Sequence, residues 1–99
     1  MPTVYIIQES KTQDFSDAKK YGDLEVILLG VSRDLDRGAR IVEKVLQTNW
    51  QDGDFLIPNG SPVHILAAGA ALAGLPVTSI NMLVWDRRSL KYDNLTIEL

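Results

Sequence analysis

The sequence predicts an α/β sandwich with the order βαβαβαββ, a mostly parallel sheet and an antiparallel C-terminal edge strand. Apolar segments rich in β-branched residues alternate with segments of helical spacing, which is typical of parallel strands joined by right-handed crossovers. The last two apolar segments are separated by only a few residues, so the final strand is expected to run antiparallel. A chain of 99 residues, 45% of them hydrophobic, can build one core, and we expect a single domain over residues 1–99.

The first half of the chain begins with a strand at residues 3–8, TVYIIQ, because β-branched and aromatic side chains favour extended backbone. The segment DFSDAKKYG predicts a short helix, with Asp14 or Ser16 as its N-cap and Gly22 as its end. Residues 24–30, LEVILLG, are apolar on both faces, and a strand of this kind is expected inside a parallel sheet.

Residues 34–50 have the spacing of an amphipathic helix. Charged and amide side chains fill one face, where Asp36 and Arg40 stand four apart in the order that favours an ion pair. The opposite stripe is apolar and is expected to pack on the sheet; it consists of Leu35, Ala39, Val42, Leu46 and Trp50, widened by Ile41 and Val45.

The second half contains a third strand at residues 54–59 and a second helix at residues 62–74, which Pro76 ends. A fourth strand follows at residues 79–85, and a fifth at residues 90–99 closes the sheet as its antiparallel edge.

Composition excludes several classes of protein. The net charge is −3, so nothing favours binding to nucleic acid. The chain has no cysteine, which excludes disulfides, thiolate metal sites and a cysteine nucleophile. Residues 57–85 carry no full charge, but prolines and polar residues interrupt this run, so we expect no membrane span. No signal peptide is visible, and these features together favour the cytoplasm.

The second helix, ILAAGAALAGL in its central part, is apolar all round. In so small a chain one face can pack on the sheet, while little remains to cover the other. Loops and the first helix could shield it, but we favour a second copy of the chain, forming a homodimer. The candidate interface residues are Ile65, Leu66, Gly69, Ala70, Leu72 and Ala73.

The turn PNGSP at residues 58–62 joins the third strand to the second helix. Ser61 is a good N-cap and Pro62 suits the first helical position, so capping alone explains the turn. The same geometry could bind an anion, since the first amides of a helix are free donors. No dinucleotide fingerprint or P-loop lysine accompanies the turn. The candidate ligand-binding residues at the carboxyl ends of the strands are Ser10, Ser32, Arg33, Asn59, Gly60, Ser61, Val63 and His64.

Catalytic and metal sites have weak support. Ser61 and His64 share the first helical turn, but a triad also requires an orienting carboxylate and an oxyanion hole. We therefore interpret His64, the only histidine, as a polar surface or interface residue. Two pairs of aspartates could meet a divalent cation, Asp14 with Asp17 and Asp52 with Asp54. Neither pair supplies as many ligands as a calcium-binding loop requires. Arg87, Arg88 and Lys91, beside Trp85 and Tyr92, form the one basic-aromatic cluster, interpreted as a charged hairpin tip. We predict no catalytic residues, no metal and no cofactor.

The stretches YIIQES, DFSDAKKYGDLEVILLG, DFLIPNGSPVHILAAGAALA and NMLVWDRR, taken in this order, resemble small bacteriophage-encoded α/β proteins of about this length. The resemblance covers most of the chain and brings no catalytic motif. It implies an accessory protein that acts in the cytoplasm of an infected bacterium.

Two functions of different classes remain open. The first is a non-enzymatic, homo-oligomeric interaction module that binds itself and a host or viral protein. The second is a binder of a nucleotide or other phosphate-bearing small molecule at the turn formed by Asn59, Gly60 and Ser61. Enzymatic activity, most plausibly hydrolysis, comes third.

Overall fold

The computed structural model describes residues 1–30 and 33–99. Within them, one five-stranded sheet carries two α-helices on one face and a 3₁₀ helix on the other. The strands are β1 (Thr3–Gln8), β2 (Asp23–Leu28), β3 (Phe55–Ile57), β4 (Ser79–Asp86) and β5 (Lys91–Glu98). The helices are α1 (Leu35–Asn49) and α2 (Pro62–Ala73), and the 3₁₀ helix spans Ser16–Lys20. This element order confirms the predicted fold class.

The strands lie in the order β2-β1-β3-β4-β5. β1 pairs in parallel with both β2 and β3, β3 pairs in parallel with β4, and β5 is antiparallel to β4. β2 is therefore an edge strand, and the expectation that its apolar sequence lies inside the sheet is wrong. Glu25 is exposed, and Leu29 lies beyond the end of the strand with most of its surface in solvent.

Side chains of β1 alternate between two buried clusters, because successive residues of a strand point to opposite faces. Tyr5 and Ile7 lie in the cluster under α1 and α2, which we call the helix-side cluster. Val4 and Ile6 lie in the cluster on the face of the 3₁₀ helix, which we call the 3₁₀-side cluster. Each of these four side chains is at most 2% exposed, so β1 is the centre of the core.

The segment DFSDAKKYG forms a 3₁₀ helix, where the sequence predicts only a short helix with Asp14 or Ser16 as cap. Its N-cap is Phe15, and Asp14 lies one residue earlier, where its Oδ1 accepts a hydrogen bond from the Ser16 amide at 2.9 Å. The amide of Ala18 donates to the Phe15 carbonyl, an i to i+3 bond of the 3₁₀ type. Ala18 is the residue of this helix that is buried, so this second layer of the sandwich is thin.

The first α-helix has nearly its predicted bounds, but Leu35 and Ile41 of the predicted apolar stripe are exposed and do not pack on the sheet. Asp34 caps α1 by accepting a hydrogen bond from the Arg37 amide at 3.0 Å. Val42 and Leu46 are fully buried, and the Arg40 side chain pairs with Asp36 as the spacing predicts. On the inner face it is Gly38, and not Ala39, that is buried.

Gly38 marks the closest contact between α1 and α2. A Cβ atom built on this glycine would lie 2.4 Å from Nε2 of His64 and 2.9 Å from its Cε1. The imidazole of α2 therefore occupies the space that any side chain at position 38 would require. Nε2 also lies 3.1 Å from the Leu35 carbonyl, which accepts a hydrogen bond if this nitrogen carries the proton.

Gly38→Ala is expected to lower the free energy of unfolding by about 1–3 kcal/mol, because the added methyl group overpacks this contact. Urea unfolding measures the change. In a His64→Ala background most of this cost should disappear.

Gly69→Ala on α2 is the matched control, since a Cβ there would contact nothing within 4 Å. In dilute solution, where the chains are separate, it is expected to raise stability by about 0.5–1 kcal/mol through helix propensity. A stabilising effect of both substitutions would contradict the close approach of the two helices.

Candidate functional site

The turn between β3 and α2 is closed by its own hydrogen bonds. Ser61 Oγ accepts a hydrogen bond from the Val63 amide at 3.2 Å. The Ser61 carbonyl accepts hydrogen bonds from the amides of His64 at 3.0 Å and Ile65 at 3.1 Å. The amides that the sequence offers to an anion thus have partners inside the chain, which is the arrangement of an N-cap.

Asn59 joins the ends of β3 and β1. Its Nδ2 donates to the Gln8 carbonyl at 2.8 Å, and its Oδ1 accepts from the Gln8 amide at 3.0 Å. Gly60 has a φ of 91°, and a Cβ there would lie 2.8 Å from Cβ of Gln8. Both residues therefore hold the two strand ends together.

The other predicted ligand residues do not gather into one site. Ser10 Oγ accepts hydrogen bonds from the amides of Thr12 and Gln13 and so shapes the loop after β1. Arg33 is exposed, and Ser32 lies outside the described residues. Asn59 and His64 line two different pockets, one on each face of the sheet.

His64 is 3% exposed, so its interpretation as a surface or interface residue is wrong. Its ring is buried because Gly38 leaves room for it between the two helices. Nδ1 is buried and has no hydrogen-bond partner among the described residues. Ser61 Oγ engages the Val63 amide, and nothing in this arrangement pairs it with His64 as a nucleophile with its base.

A groove of about 620 Å³ opens at the carboxyl ends of β3 and β4, under the loop that follows β1. Ligands of open α/β sheets bind outside this edge, near the point where the strand order reverses. In this sheet the order reverses at β1, between β2 and β3. The lining residues are Thr12, Gln13, Asp14, Ile57, Pro58, Asn59, Leu83, Val84, Trp85, Arg87 and Tyr92.

The groove includes part of the basic-aromatic cluster that the sequence places at a hairpin tip. Trp85 and Tyr92 are opposite each other in the β4–β5 ladder, and their ring centroids are 5.0 Å apart. Arg87 lines the groove and forms no ion pair with any described residue. Sequence reasoning misses Thr12 and Gln13, because nothing in a polar loop shows which residues fold toward β5.

Tyr92 is the residue where β5, the 3₁₀ helix and the loop after β1 meet. Its amide donates to Asp17 Oδ2 at 2.7 Å, and its carbonyl accepts from the Tyr21 hydroxyl at 3.0 Å. Gln13 Nε2 donates to the Tyr92 hydroxyl at 2.9 Å. Burial raises the pKa of this phenol, and the Gln13 hydrogen bond partly opposes that shift.

Three carboxylates around the groove have lowered pKa values, chiefly because each accepts a backbone hydrogen bond. The donors are the amide of Ser16 for Asp14, of Tyr92 for Asp17 and of Arg88 for Asp86. In their charged form, Asp14 and Asp86 therefore stabilise local turns, and Asp17 joins the 3₁₀ helix to β5.

The candidate interface residues on α2 divide between its two sides. Leu72 is fully buried in the helix-side cluster, so it is not available to a partner, and Ile65 is half-buried against the same cluster. The remaining four are exposed and share one side with Val63. We call this side the outer face of α2; it consists of Val63, Leu66, Gly69, Ala70 and Ala73.

Neither a metal site nor a membrane span is evident in the described part of the chain. Among residues 1–30 and 33–99, no group of three or more His, Cys, Asp or Glu side chains is arranged to hold a metal ion. In the same residues, no helix has the length and apolar character to cross a bilayer.

Comparison with known proteins gives one match. A family model described as Phage Pam3 gp32-like protein matches residues 2–99, which is nearly the whole chain. No curated protein matches the chain, and neither does any solved structure. The resemblance to phage-encoded proteins is thereby confirmed.

Asp17→Asn is expected to destabilise the protein at pH 7, because a neutral amide accepts the Tyr92 hydrogen bond more weakly than a carboxylate does. The folded-state pKa of Asp17 is lowered, so its contribution is present above the unfolded pKa of about 3.9. It is lost as the pH falls through the folded pKa. The gap between the urea midpoints of wild type and variant should therefore narrow as the pH falls from about 5 to about 2.

Asp52→Asn, in an exposed turn, is the matched control and should change the midpoint little at either pH. If Asp17→Asn lowers the urea midpoint equally at neutral and acidic pH, the charge of Asp17 does not contribute to the stability of the fold.

Proposed function

The chain belongs to the Phage Pam3 gp32-like family, and on this premise we propose that it is a phage accessory protein acting as a homo-oligomeric interaction module. The outer face of α2 is its self-association surface. The host cytoplasm is where such a module would act, and a host or viral protein is its further partner.

The exposed apolar side chains of α2 are the observation that supports this proposal. Leu66 is 75% exposed and Val63 is 43% exposed, although both belong to a helix without a charged side chain. Helices on protein surfaces normally carry charged or polar residues on their outer side. An apolar outer side is expected where a second protein covers it.

The sizes of the side chains on the outer face of α2 favour a second copy of the chain as the protein that covers it. Gly69, Ala70 and Ala73 are small and exposed, and the exposed Leu66 on the same side is large. When two α2 helices pack antiparallel about a two-fold axis near Ala70, each Leu66 lies against the small residues of the other copy. The face carries no charge, so no like charges oppose this pairing.

Ala70→Glu is expected to weaken self-association by at least about a hundredfold, because an unpaired charge buried at an interface costs about 3–5 kcal/mol. Native mass spectrometry over a dilution series measures the shift toward lower mass.

Gln47→Glu adds the same charge to an exposed position of α1 and should leave the masses unchanged. Equal masses for wild type and Ala70→Glu at every concentration would overturn the assignment of the interface to α2.

A phosphate-bearing small molecule is the second candidate function, and the groove at the carboxyl ends of β3 and β4 is the observation that favours it. The groove combines the partly exposed indole of Trp85 with the guanidinium of Arg87. A nucleotide base could contact the indole while its phosphate meets the cation. Of the residues predicted to bind a ligand, Asn59 is the one in this groove.

Titration with AMP, followed by calorimetry, tests this second candidate. Arg87→Gln is expected to weaken binding by about tenfold or more, since a charge-assisted hydrogen bond contributes about 1.5–3 kcal/mol. Arg88→Gln is the control, because Arg88 does not line the groove. No heat of binding with wild type, or equal losses in both variants, would reject the groove as a nucleotide site.

A further inference from the structure

The outer edge of β5 is paired along only part of its length. In an antiparallel ladder the main-chain groups of alternate residues point toward the neighbouring strand and away from it. The amide and carbonyl of Tyr92 point away from β4, because they bind Asp17 and Tyr21. The β4–β5 register is continuous from Ser79↔Glu98 to Asp86↔Lys91, so Asn94, Thr96 and Glu98 point outward as well.

These outward groups differ in whether they have partners. Side chains of the 3₁₀ region occupy both outward groups of Tyr92. The main-chain amides and carbonyls of Asn94, Thr96 and Glu98 have no hydrogen-bond partner among the described residues. We call these three residues the open edge of β5.

Apart from the charge of Glu98, the open edge lacks the devices by which proteins protect an exposed strand. Residues 94–98 contain neither lysine nor proline, and the ladder with β4 has no bulge. Leu95 is 51% exposed and Ile97 is 43% exposed, and both lie on the helix side of the sheet, where α2 does not cover them. An edge of this kind is a template for another strand.

We propose that the open edge of β5 pairs antiparallel with the open edge of a second copy of this chain, about a two-fold axis at Thr96. Asn94 then faces Glu98 of the other copy, and Thr96 faces its equivalent. This surface is independent of the outer face of α2, so one chain can use both.

The geometry of β5 favours this occupant and this register. A two-fold axis at Thr96 pairs all three outward residues of each copy. A shift that centres the axis on Leu95 would place Glu98 opposite Tyr92, whose main-chain groups are already engaged. Leu95 of each copy lies beside Ile97 of the other, and such apolar cross-strand pairs stabilise a sheet.

Charge is also compatible with self-pairing. Glu98 is the one charged residue of the 94–98 segment, and the register places it opposite the neutral Asn94. Like charges directly opposite each other, which destabilise strand pairs, are thereby avoided. Five residues per strand bury less than the roughly 800 Å² per partner of a standard interface, so the pairing is expected to depend on concentration.

Single-cysteine crosslinking tests the proposal, because the chain has no cysteine of its own. In the proposed pair the Cα atoms at position 96 are about 5.5 Å apart, which is within the range of about 4.4–6.8 Å that a disulfide spans. Thr96→Cys is therefore expected to form disulfide-linked dimers quickly during mild oxidation, as followed on non-reducing gels. Its rate should exceed that of a control by the ratio of the millimolar effective concentration in the pair to the dissociation constant of the pair, which is about tenfold for a dissociation constant of about 100 µM.

The control is Glu25→Cys, at an exposed position of β2, the edge strand at the other side of the sheet. Adding Asn94→Pro to Thr96→Cys removes an outward amide that does not serve the β4–β5 ladder, and should slow crosslinking to the control rate. Equal rates for Thr96→Cys and Glu25→Cys would overturn the proposal, and this comparison does not depend on how the proline variant folds.

Adding Ala70→Glu to Thr96→Cys separates this proposal from the one for α2. Rapid crosslinking should persist in the double variant, because the β5 pair does not use the outer face of α2. A crosslinking rate that falls to the control value on adding Ala70→Glu would show that contacts through α2 alone bring the two copies together, and would overturn the β5 pairing. A third outcome is that the double variant crosslinks fast while the single variant Ala70→Glu has the same masses as wild type in native mass spectrometry. This outcome would reject the α2 interface and support the β5 pairing.

Discussion

The burial of β1 on both faces is the constraint on which the rest of the structure depends. Its four central side chains divide between the helix-side and 3₁₀-side clusters, and both neighbouring strands are parallel to it. The chain leaves β1 toward β2 on one face and returns across it to β3 on the other. This reversal places the turn residue Asn59 beside the end of β1, where it is bound to the backbone of Gln8. The loop that leaves β1 lines the groove at the carboxyl ends of β3 and β4.

A chain of 99 residues covers this sheet unevenly. Two α-helices lie on one face, while a five-residue 3₁₀ helix lies on the other and also reaches over to bind Tyr92. Within the described residues, no further layer covers the outer face of α2, and no strand pairs with the open edge of β5. Exposed apolar side chains lie on the outer face of α2 and, as Leu95 and Ile97, between the residues of the open edge of β5. Neither surface contains a lysine or an arginine. These two surfaces are why we propose contact with other polypeptides as the role of this member of a phage protein family.

Local patterns predict most elements, but tertiary contacts decide the roles of individual residues. The β1 boundaries and the Asp36–Arg40 ion pair follow from residue type and spacing. The strand order does not, because it depends on which edges meet. His64 looks like a polar surface residue in the sequence, yet the missing side chain of Gly38, 26 positions earlier, makes room to bury it. Asn59 has the chemistry of a ligand-binding residue, but its amide group binds Gln8 across the sheet. Long-range pairings of this kind leave no local pattern.

Self-association of the wild-type protein is the central claim, and sedimentation equilibrium tests it most directly. The account predicts an average mass that is 11.0 kDa in dilute solution and rises with concentration toward multiples of that value. The rise in average mass should occur below about 1 mM. A binding free energy of only roughly −4 kcal/mol already corresponds to a dissociation constant of about that concentration. A mass that stays at 11.0 kDa up to that concentration would contradict the account.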